Sequence, residues 1–558
     1  MARLSTFRAR RRSVAEIHAL LPLQRRISSI DPLSRRKYVR EFVKAFETYE
    51  RVISRESLIA FCGEADTLLV SDFHALDACQ FFVCELLEEL SVAGRPLALL
   101  LEAIFTRDQH ILDEWQAQSI SDDELRHRLR FETEWGYEWE PFLHTLKIAR
   151  SLHIPIHGAD CAPRGNMRRI VERDIHAADT LARIRKKYPD ALLLVFFGES
   201  HLAPNHLPQQ ARQKLGRECV RTVLQNVDAL YFRSAGEAHE RVTALRVNQD
   251  TAAVFNATPV EKWQSYRLCI SRWQEEPRKS PDFTPIVYDL IDALLAFLHI
   301  ERYADDDFGS RYLVDCYPEV ANVASVMRAK ALLARRGLPP ARHATTLAHL
   351  VERGSCYIPE LNLYMVQRLR MEAATLDVAC FVHHACRNFQ EVPTAEHGQE
   401  YSEEAIYVRA LDQALIQFGA RILYPSHLLN DEQDFFAKYS VPKEEIEATM
   451  LLSYRQYMRM LDSVMLHRDY ELYANRYAAK PTLLQDFLNG PVRPWPLFAD
   501  LLGELLGIDL YRAYLAGKVS RGTVRSLYFR KLRNGNAREI YFSLARRVRE
   551  RRPVKRAA

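Results

Sequence analysis

No stretch of this sequence reaches the roughly 18 to 20 consecutive apolar residues that a bilayer-spanning helix needs. The first residues, MARLSTFRARRRSVAEIHALLPLQRR, are basic but lack the apolar stretch of about 7 to 15 residues that marks a secretory signal. A cytoplasmic location is the expectation from both. The ten cysteines form no CxxC pair and no CxxCH, so covalent haem attachment is not indicated. Scattered through a chain this long, they read as reduced and mostly buried thiols rather than a disulfide framework. No Walker A loop and no GxGxxG occurs, which leaves nucleotide chemistry without support. Low-complexity tracts and fixed-period repeats are absent as well, and neither Gly nor Pro is enriched.

What is present fits a globular protein. The chain has 558 residues, 48% hydrophobic and 27% charged, enough for two or more domains with sizeable cores. Formal net charge is +5, but it is unevenly spread. Residues 1–40 carry 11 Lys/Arg against two acids, and residues 521–558 carry 13 against two. The middle is therefore acidic, with 68 acids against 53 bases. An acidic body with basic ends is not the pattern of a nucleic-acid-binding core, so no specific nucleic-acid partner is expected. The ends suit weak contact with an anionic membrane or RNA, or a plain solvated tail.

Apolar periodicity divides the chain. Residues 1–60 form an N-terminal extension that reads as helical from residue 13, with apolar positions three and four apart in KYVREFVKAFETYERVI. Residues 61–278 alternate strands and helices. TLLVS (67–71), PLALLLE (96–102), IPIHGAD (154–160) and DALLLVFFG (190–198) read as buried strands, with shorter β-like runs at ALYFR (229–233) and AAVFN (252–256). The intervening segments, DACQFFVCELLEEL and NMRRIVERDIHAADTLARIRKKY among them, have helical spacing. Strand–helix alternation implies right-handed crossovers and a largely parallel sheet, and continuously apolar strands imply helices on both faces. A boundary is expected in the polar stretch QEEPRKSPD (274–282). Residues 283–520 are helical in pattern throughout and read as a separate all-α domain, closed by a basic tail over 521–558.

Chemistry-bearing residues follow each of the four strands at once. The first runs into Ser71-Asp72-Phe73-His74, the second ends at Glu102, the third at Asp160, and the fourth at Gly198-Glu199-Ser200-His201. Ligands of open parallel sheets bind outside the carboxyl ends of the strands. Two imidazoles with carboxylates there can hold a divalent metal with an open position, act as a general base with its orienting partner, or supply an axial haem ligand. Helix capping is the plain alternative for Asp72, Asp160 and Glu199. Glu102 directly follows a run of leucines, and a carboxylate buried there needs a partner.

These residues resemble a known family. Residues from about 66 to 275 are similar to the haem-binding uptake domain called ChaN-like, of the Tiki/TraB/erythromycin-esterase superfamily. That superfamily is marked by two Gly-x-x-His motifs and a glutamate after the second strand. GESH (198–201) followed by LAPNHLP matches the second motif, and SDFH (71–74) the first, with Ser71 for Gly and Asp72 for Glu. LLLEAIF (99–105) resembles the family's strand end, and the stretch from Trp135 to Asp160 resembles the segment that follows. The helix bearing Arg173, Asp174 and Asp179 lies where the family often has charged residues. The resemblance implies His74 and His201 as central site residues and Glu102 as the third. It makes Asp72 and Glu199 auxiliary, and Arg173 a group for an anionic part of the ligand. Haem or a divalent metal ion is the implied cofactor, with His74, His201, Glu102, Asp72 and Glu199 as the metal's candidate ligands. The first expectation is a protein that binds haem or a small-molecule ligand at the strand ends. The second is a metal-dependent or His-based hydrolase with His74, Glu102 and His201 catalytic, and the third a scaffold whose helical half binds a partner.

Two C-terminal features read as packing. In CFVHHAC (380–386), Cys380 and His384 lie one helical turn apart, but zinc sites usually take ligand pairs from separate elements. The Tyr-rich SYRQYMRML suits a helix core better than a base-stacking platform.

Overall fold

The computed structural model describes residues 2–31, 36–92, 94–164, 170–216, 218–237, 242–274, 281–304, 312–389, 403–425, 432–449, 452–473, 495–532 and 535–549. The chain forms two compact units. One comprises Met1–Ala9 and Leu20–Pro281, the other Arg10–Ala19 and Asp282–Ala558. Most of the polar stretch 274–282 lies outside the described residues, as does the end of the basic stretch from 550 onward.

The first unit is built on an eight-stranded sheet: β1 (Arg51–Ile53), β2 (Thr67–Asp72), β3 (Leu97–Phe105), β4 (Ile156–Asp160), β5 (Leu192–Gly198), β6 (Val220–Gln225), β7 (Ala244–Asn248) and β8 (Thr251–Val254). Their order across the sheet is β1-β7-β8-β6-β2-β5-β3-β4. Pairing is parallel from β8 to β4 and antiparallel only where β7 meets β1 and β8. Side chains alternate between two cores. Leu68, Val70, Leu99, Leu101, Leu194 and Phe196 face one, with the helices Asp77–Val92 and Trp139–Ser151. Leu69, Ala98, Leu100, Val195 and Phe197 face the other, with Ile170–Lys187 and Leu207–Leu215. Burial on both faces is why these strands read as unbroken apolar runs. Each such Leu, Val or Phe side chain contributes about 1.5–3 kcal/mol relative to exposure.

Three local readings change. ALYFR is not a strand but part of the helix Asp228–Ser234, which buries Leu230, Tyr231 and Ser234 and leaves Arg233 exposed. The buried positions 230, 231 and 234 share one helical face, but four consecutive apolar residues, Ala229 to Phe232, do not reveal that spacing. Arg51–Ile53 interrupts the helical N-terminal stretch, an edge strand too short to show alternation. β6 is a central strand that the sequence hides, because Arg221, Thr222 and Gln225 break its apolar run.

The second unit is mainly helical, as its spacing indicated. Thr284–Leu298, Val326–Arg335, Glu403–Leu423 and Tyr454–Tyr473 are helices. Glu403–Leu423 packs closely on Trp495–Leu515, where a Cβ at Gly503 would lie 2.5 Å from the Ala410 carbonyl oxygen and one at Gly507 2.7 Å from that of Ala414. The unit also holds a small sheet that helical periodicity did not announce: β9 (Glu319–Asn322), β10 (Ser355–Ile358) and β11 (Leu363–Val366). Part of the basic stretch forms the helices Arg521–Tyr528 and Ala537–Val548, which bury Val524, Tyr528, Tyr541 and Leu544. Among the described residues no helix is long and apolar enough to cross a membrane.

Candidate functional site

Glu102 is the centre of the polar cluster at the strand ends. The β3–β4 register lapses between Leu101 and Phe105, and Glu102 sits in that lapse. Irregularities of this kind re-aim side chains at sheet ends. Its carboxylate is buried and fully engaged. Oε2 accepts from the Gly198 N–H at 2.6 Å, and Oε1 accepts from the Arg173 guanidinium at 2.5 Å. His201 Nε2 lies 3.4 Å from Oε1 and His74 Nε2 lies 3.8 Å from Oε2. Gly198 makes this convergence possible. A Cβ there would fall 3.0 Å from His74 Nε2 and 3.2 Å from Glu102 Oε2, tighter than ordinary contact.

The two imidazoles are held alike. His74 Nδ1 pairs with Asp72 Oδ2 at 2.7 Å, and Asp72 Oδ1 accepts from Gln80 Nε2 at 2.8 Å. His201 Nδ1 pairs with Asp174 Oδ1 at 2.5 Å, and Asp174 Oδ2 accepts from the Tyr38 hydroxyl at 3.1 Å. Each ring is thus oriented by an aspartate and turns its Nε2 toward the one glutamate. Burial opposes charging His74, but Asp72 and then Glu102 outweigh it and raise its pKa. The same contest at His201, with Glu102 and Asp174 against burial, pushes its pKa up to about 9. Burial alone would raise Glu102, yet His201, Arg173 and His74 hold it well below the usual carboxylate range.

Behind the glutamate stands a second layer of charge. Arg173 donates to Asp160 through Nε and a terminal nitrogen, both at 2.8 Å, besides its bond to Glu102. Arg164 donates to Asp160 Oδ2 at 2.8 Å, to the Glu134 carbonyl at 2.8 Å and to the Glu102 carbonyl at 2.5 Å. Asp72 and Asp160 therefore spend their oxygens on these side chains rather than on helix caps. Arg173, read as a receiver for an anionic ligand group, is buried with its charge answered by two carboxylates. Glu199 turns to the buried Lys262 at 2.9 Å, which also donates to the Asn226 carbonyl at 3.0 Å. Ser71, standing at the glycine position of the first motif, ties β2 to β6: its hydroxyl accepts from the Gln225 N–H at 2.6 Å.

One side of the cluster meets a cleft. Asp72, His74 and Glu102 line it with Gln80, Trp135 and Phe196. The Trp135 and Tyr137 rings cover His74, with centroids 4.4 and 5.0 Å from the imidazole. His74 keeps 19% side-chain exposure, whereas His201 keeps 3% and lies behind Glu102. The free space is about 10 Å³, room for about one water. His201 offers no nitrogen to a haem iron here: its Nδ1 is bound to Asp174 and its Nε2 lies behind Glu102. His74 has Nδ1 bound to Asp72 and Nε2 at the cleft, 3.8 Å from Glu102, and the cleft has no space for a porphyrin while Trp135 and Tyr137 cover the ring. A divalent metal fares no better. Among the described residues no group of three or more His, Cys, Asp or Glu side chains is arranged to hold a metal ion. That includes His74, His201, Glu102, Asp72 and Glu199, and it includes CFVHHAC, where His384 pairs with the Tyr357 hydroxyl at 3.0 Å. Sequence reasoning singled out neither Tyr38, Gln80 nor Arg164. Nothing in the sequence marks a partner that lies 136 residues away, as Tyr38 does from Asp174.

No curated protein matches the chain. Among solved structures, ChaN of Campylobacter jejuni, described with cofacial haem binding, is 15% identical. That match covers 31% of this chain and 86% of that one, with a TM-score of 0.25. The type III effector HopBA1 is 13% identical over 38% of this chain and 98% of its own, with a TM-score of 0.28. At those scores neither likeness bears on the chemistry. Residues 58–195 match the family model described as haem-binding uptake, Tiki superfamily, ChaN, and the α/β unit of this chain thus carries a ChaN-like domain.

Proposed function

We propose that the ChaN-like domain is a hydrolase of a small-molecule ester or amide, with His74 as the proton-transfer group. The observation that carries this reading is the Asp72–His74 pair at 2.7 Å, set in the wall of the cleft with Nε2 turned away from its aspartate. An aspartate on Nδ1 fixes the tautomer and stabilises the imidazolium that forms during proton transfer. In such a reaction His74 Nε2 takes a proton from water as the water oxygen attacks the carbonyl carbon. The tetrahedral intermediate collapses, the bond to the leaving alcohol or amine breaks, and that group receives the proton from His74. Glu102, held ionised, supports the imidazolium from the other side. His201 is too deeply buried to meet substrate, and its charge balances Glu102. A small-molecule or haem ligand held by groups other than these imidazoles is the second reading. The family's description, which names haem, favours it.

The pH dependence of kcat/KM with an activated aryl ester such as p-nitrophenyl acetate tests the proposal. Because His74 works as a base only when neutral, the rate rises with pH. Because Asp72 and Glu102 favour the proton, the midpoint lies above the ordinary histidine value of about 6.5. Asp72→Asn removes an anion that stabilises the imidazolium, so its midpoint falls and its limiting rate drops by about 10²- to 10⁴-fold. The same midpoint and rate in Asp72→Asn contradict the proposal.

A further inference from the structure

The helix Lys37–Ala45 precedes the stretch that matches the family, yet it reaches the buried side of the site. Tyr38 and Glu41, one turn apart, share a face of that helix. The Tyr38 ring stacks on His206 at 3.7 Å between centroids, 22° from parallel, and meets His201 edge-on at 6.5 Å. His206 is fixed in turn, with Nδ1 on the Ser200 carbonyl at 2.9 Å and Nε2 on Glu41 at 2.8 Å. Phe42, on the same helix, is buried and packs against Phe46. The ring of Tyr38 is therefore held by His206 and His201 while its hydroxyl donates to Asp174 Oδ2. Asp174 is 1% exposed, so its second oxygen has no water to turn to.

We infer that this N-terminal helix completes the site and that Tyr38 is a positioning residue, acting on His201 through Asp174. The chain of contacts runs from Tyr38 to Asp174, His201 and Glu102, and ends facing His74. With one oxygen held by Tyr38, Asp174 presents the other to His201 Nδ1 in a single orientation, which aims Nε2 at Glu102. The hydroxyl also draws charge from Asp174 and so limits how strongly that aspartate pulls the His201 proton. The consequence for turnover rests on the hydrolase reading above; the contact with His201 does not.

The test is proton NMR of the full-length protein. A hydrogen bond as short as the 2.5 Å between His201 Nδ1 and Asp174 gives a resonance far downfield of the amide region. Its loss in His201→Gln and in Asp174→Asn identifies it. Tyr38→Phe keeps the ring and its stacking but removes the donor, so the His201–Asp174 bond tightens and the resonance moves further downfield. Site-specific 3-fluorotyrosine at position 38 keeps the donor and strengthens it, so the resonance moves upfield. This second substitution serves even if Tyr38→Phe folds poorly. Absence of a resonance that depends on both His201 and Asp174 overturns the inference, as does one that neither change at position 38 moves. If the resonance responds but the wild-type protein hydrolyses no ester, the hydrolase reading fails and the positioning role stands. If ester turnover is intact while the resonance ignores Tyr38, only the positioning role fails.

Discussion

Substituting Glu102 by glutamine keeps its shape and removes the charge that Arg173 and His201 answer. From the sequence, a carboxylate buried directly after a run of leucines needs a partner, and the buried Arg173 guanidinium at 2.5 Å is one. Breaking a buried ion pair from one side costs about 3–5 kcal/mol, because the partner's charge is left behind. Thermal denaturation of Glu102→Gln at neutral pH should therefore show a clearly lower Tm, and an unchanged or higher Tm contradicts the charge balance described here. The loss has a pH signature. His201 is raised to about 9 in the fold, so its pairing contributes fully below the unfolded value of about 6.5 and fades as pH rises through 9. The deficit of Glu102→Gln should shrink accordingly toward alkaline pH. At this scale the sequence reveals His74, Glu102, His201 and Asp72 because strand ends announce themselves. It conceals Tyr38 and Arg164, whose roles depend on who meets whom across the fold.

At the scale of elements, the segment from Arg130 to Glu138 decides what reaches His74. It contains the short helix Phe131–Glu134, bounded by left-handed conformations at Arg130 and Gly136. Arg164 holds the Glu134 carbonyl, and Trp273 Nε1 donates to the Gly136 carbonyl at 2.7 Å. Trp135 and Tyr137 then lie over the imidazole, leaving room for about one water. Any substrate larger than that enters only as these rings move aside. Trp135→Ala should speed carbethoxylation of His74 by diethyl pyrocarbonate severalfold, read by peptide mass mapping. A rate equal to that of the wild-type protein would show that Trp135 does not shield the ring. Long apolar strands such as Leu97–Phe105 were plain in the sequence. The segment over the site was not, because its function lies in the placement of two aromatic rings rather than in any periodicity.

At the scale of the whole chain, strand–helix alternation followed by helical spacing was enough to read the fold class. It was not enough to find β9, β10 and β11, each four residues long. Charge patterning likewise describes composition and not position. The basic stretch from 521 supplies Arg549 to the buried Glu471, which also accepts from Tyr541 and pairs with His467. His467, Arg468 and Arg549 outweigh burial at Glu471 and hold its pKa down to about 2. For the site, the decisive measurement is hydrolysis of p-nitrophenyl acetate by the full-length protein after exhaustive dialysis against a chelator. Metal and haem contents are determined on the same sample, with His74→Gln run beside it. The predicted result is turnover that persists through the chelator treatment and falls by about 10²-fold or more in His74→Gln. Turnover that disappears with the chelator and returns with zinc, or that survives in His74→Gln, contradicts it.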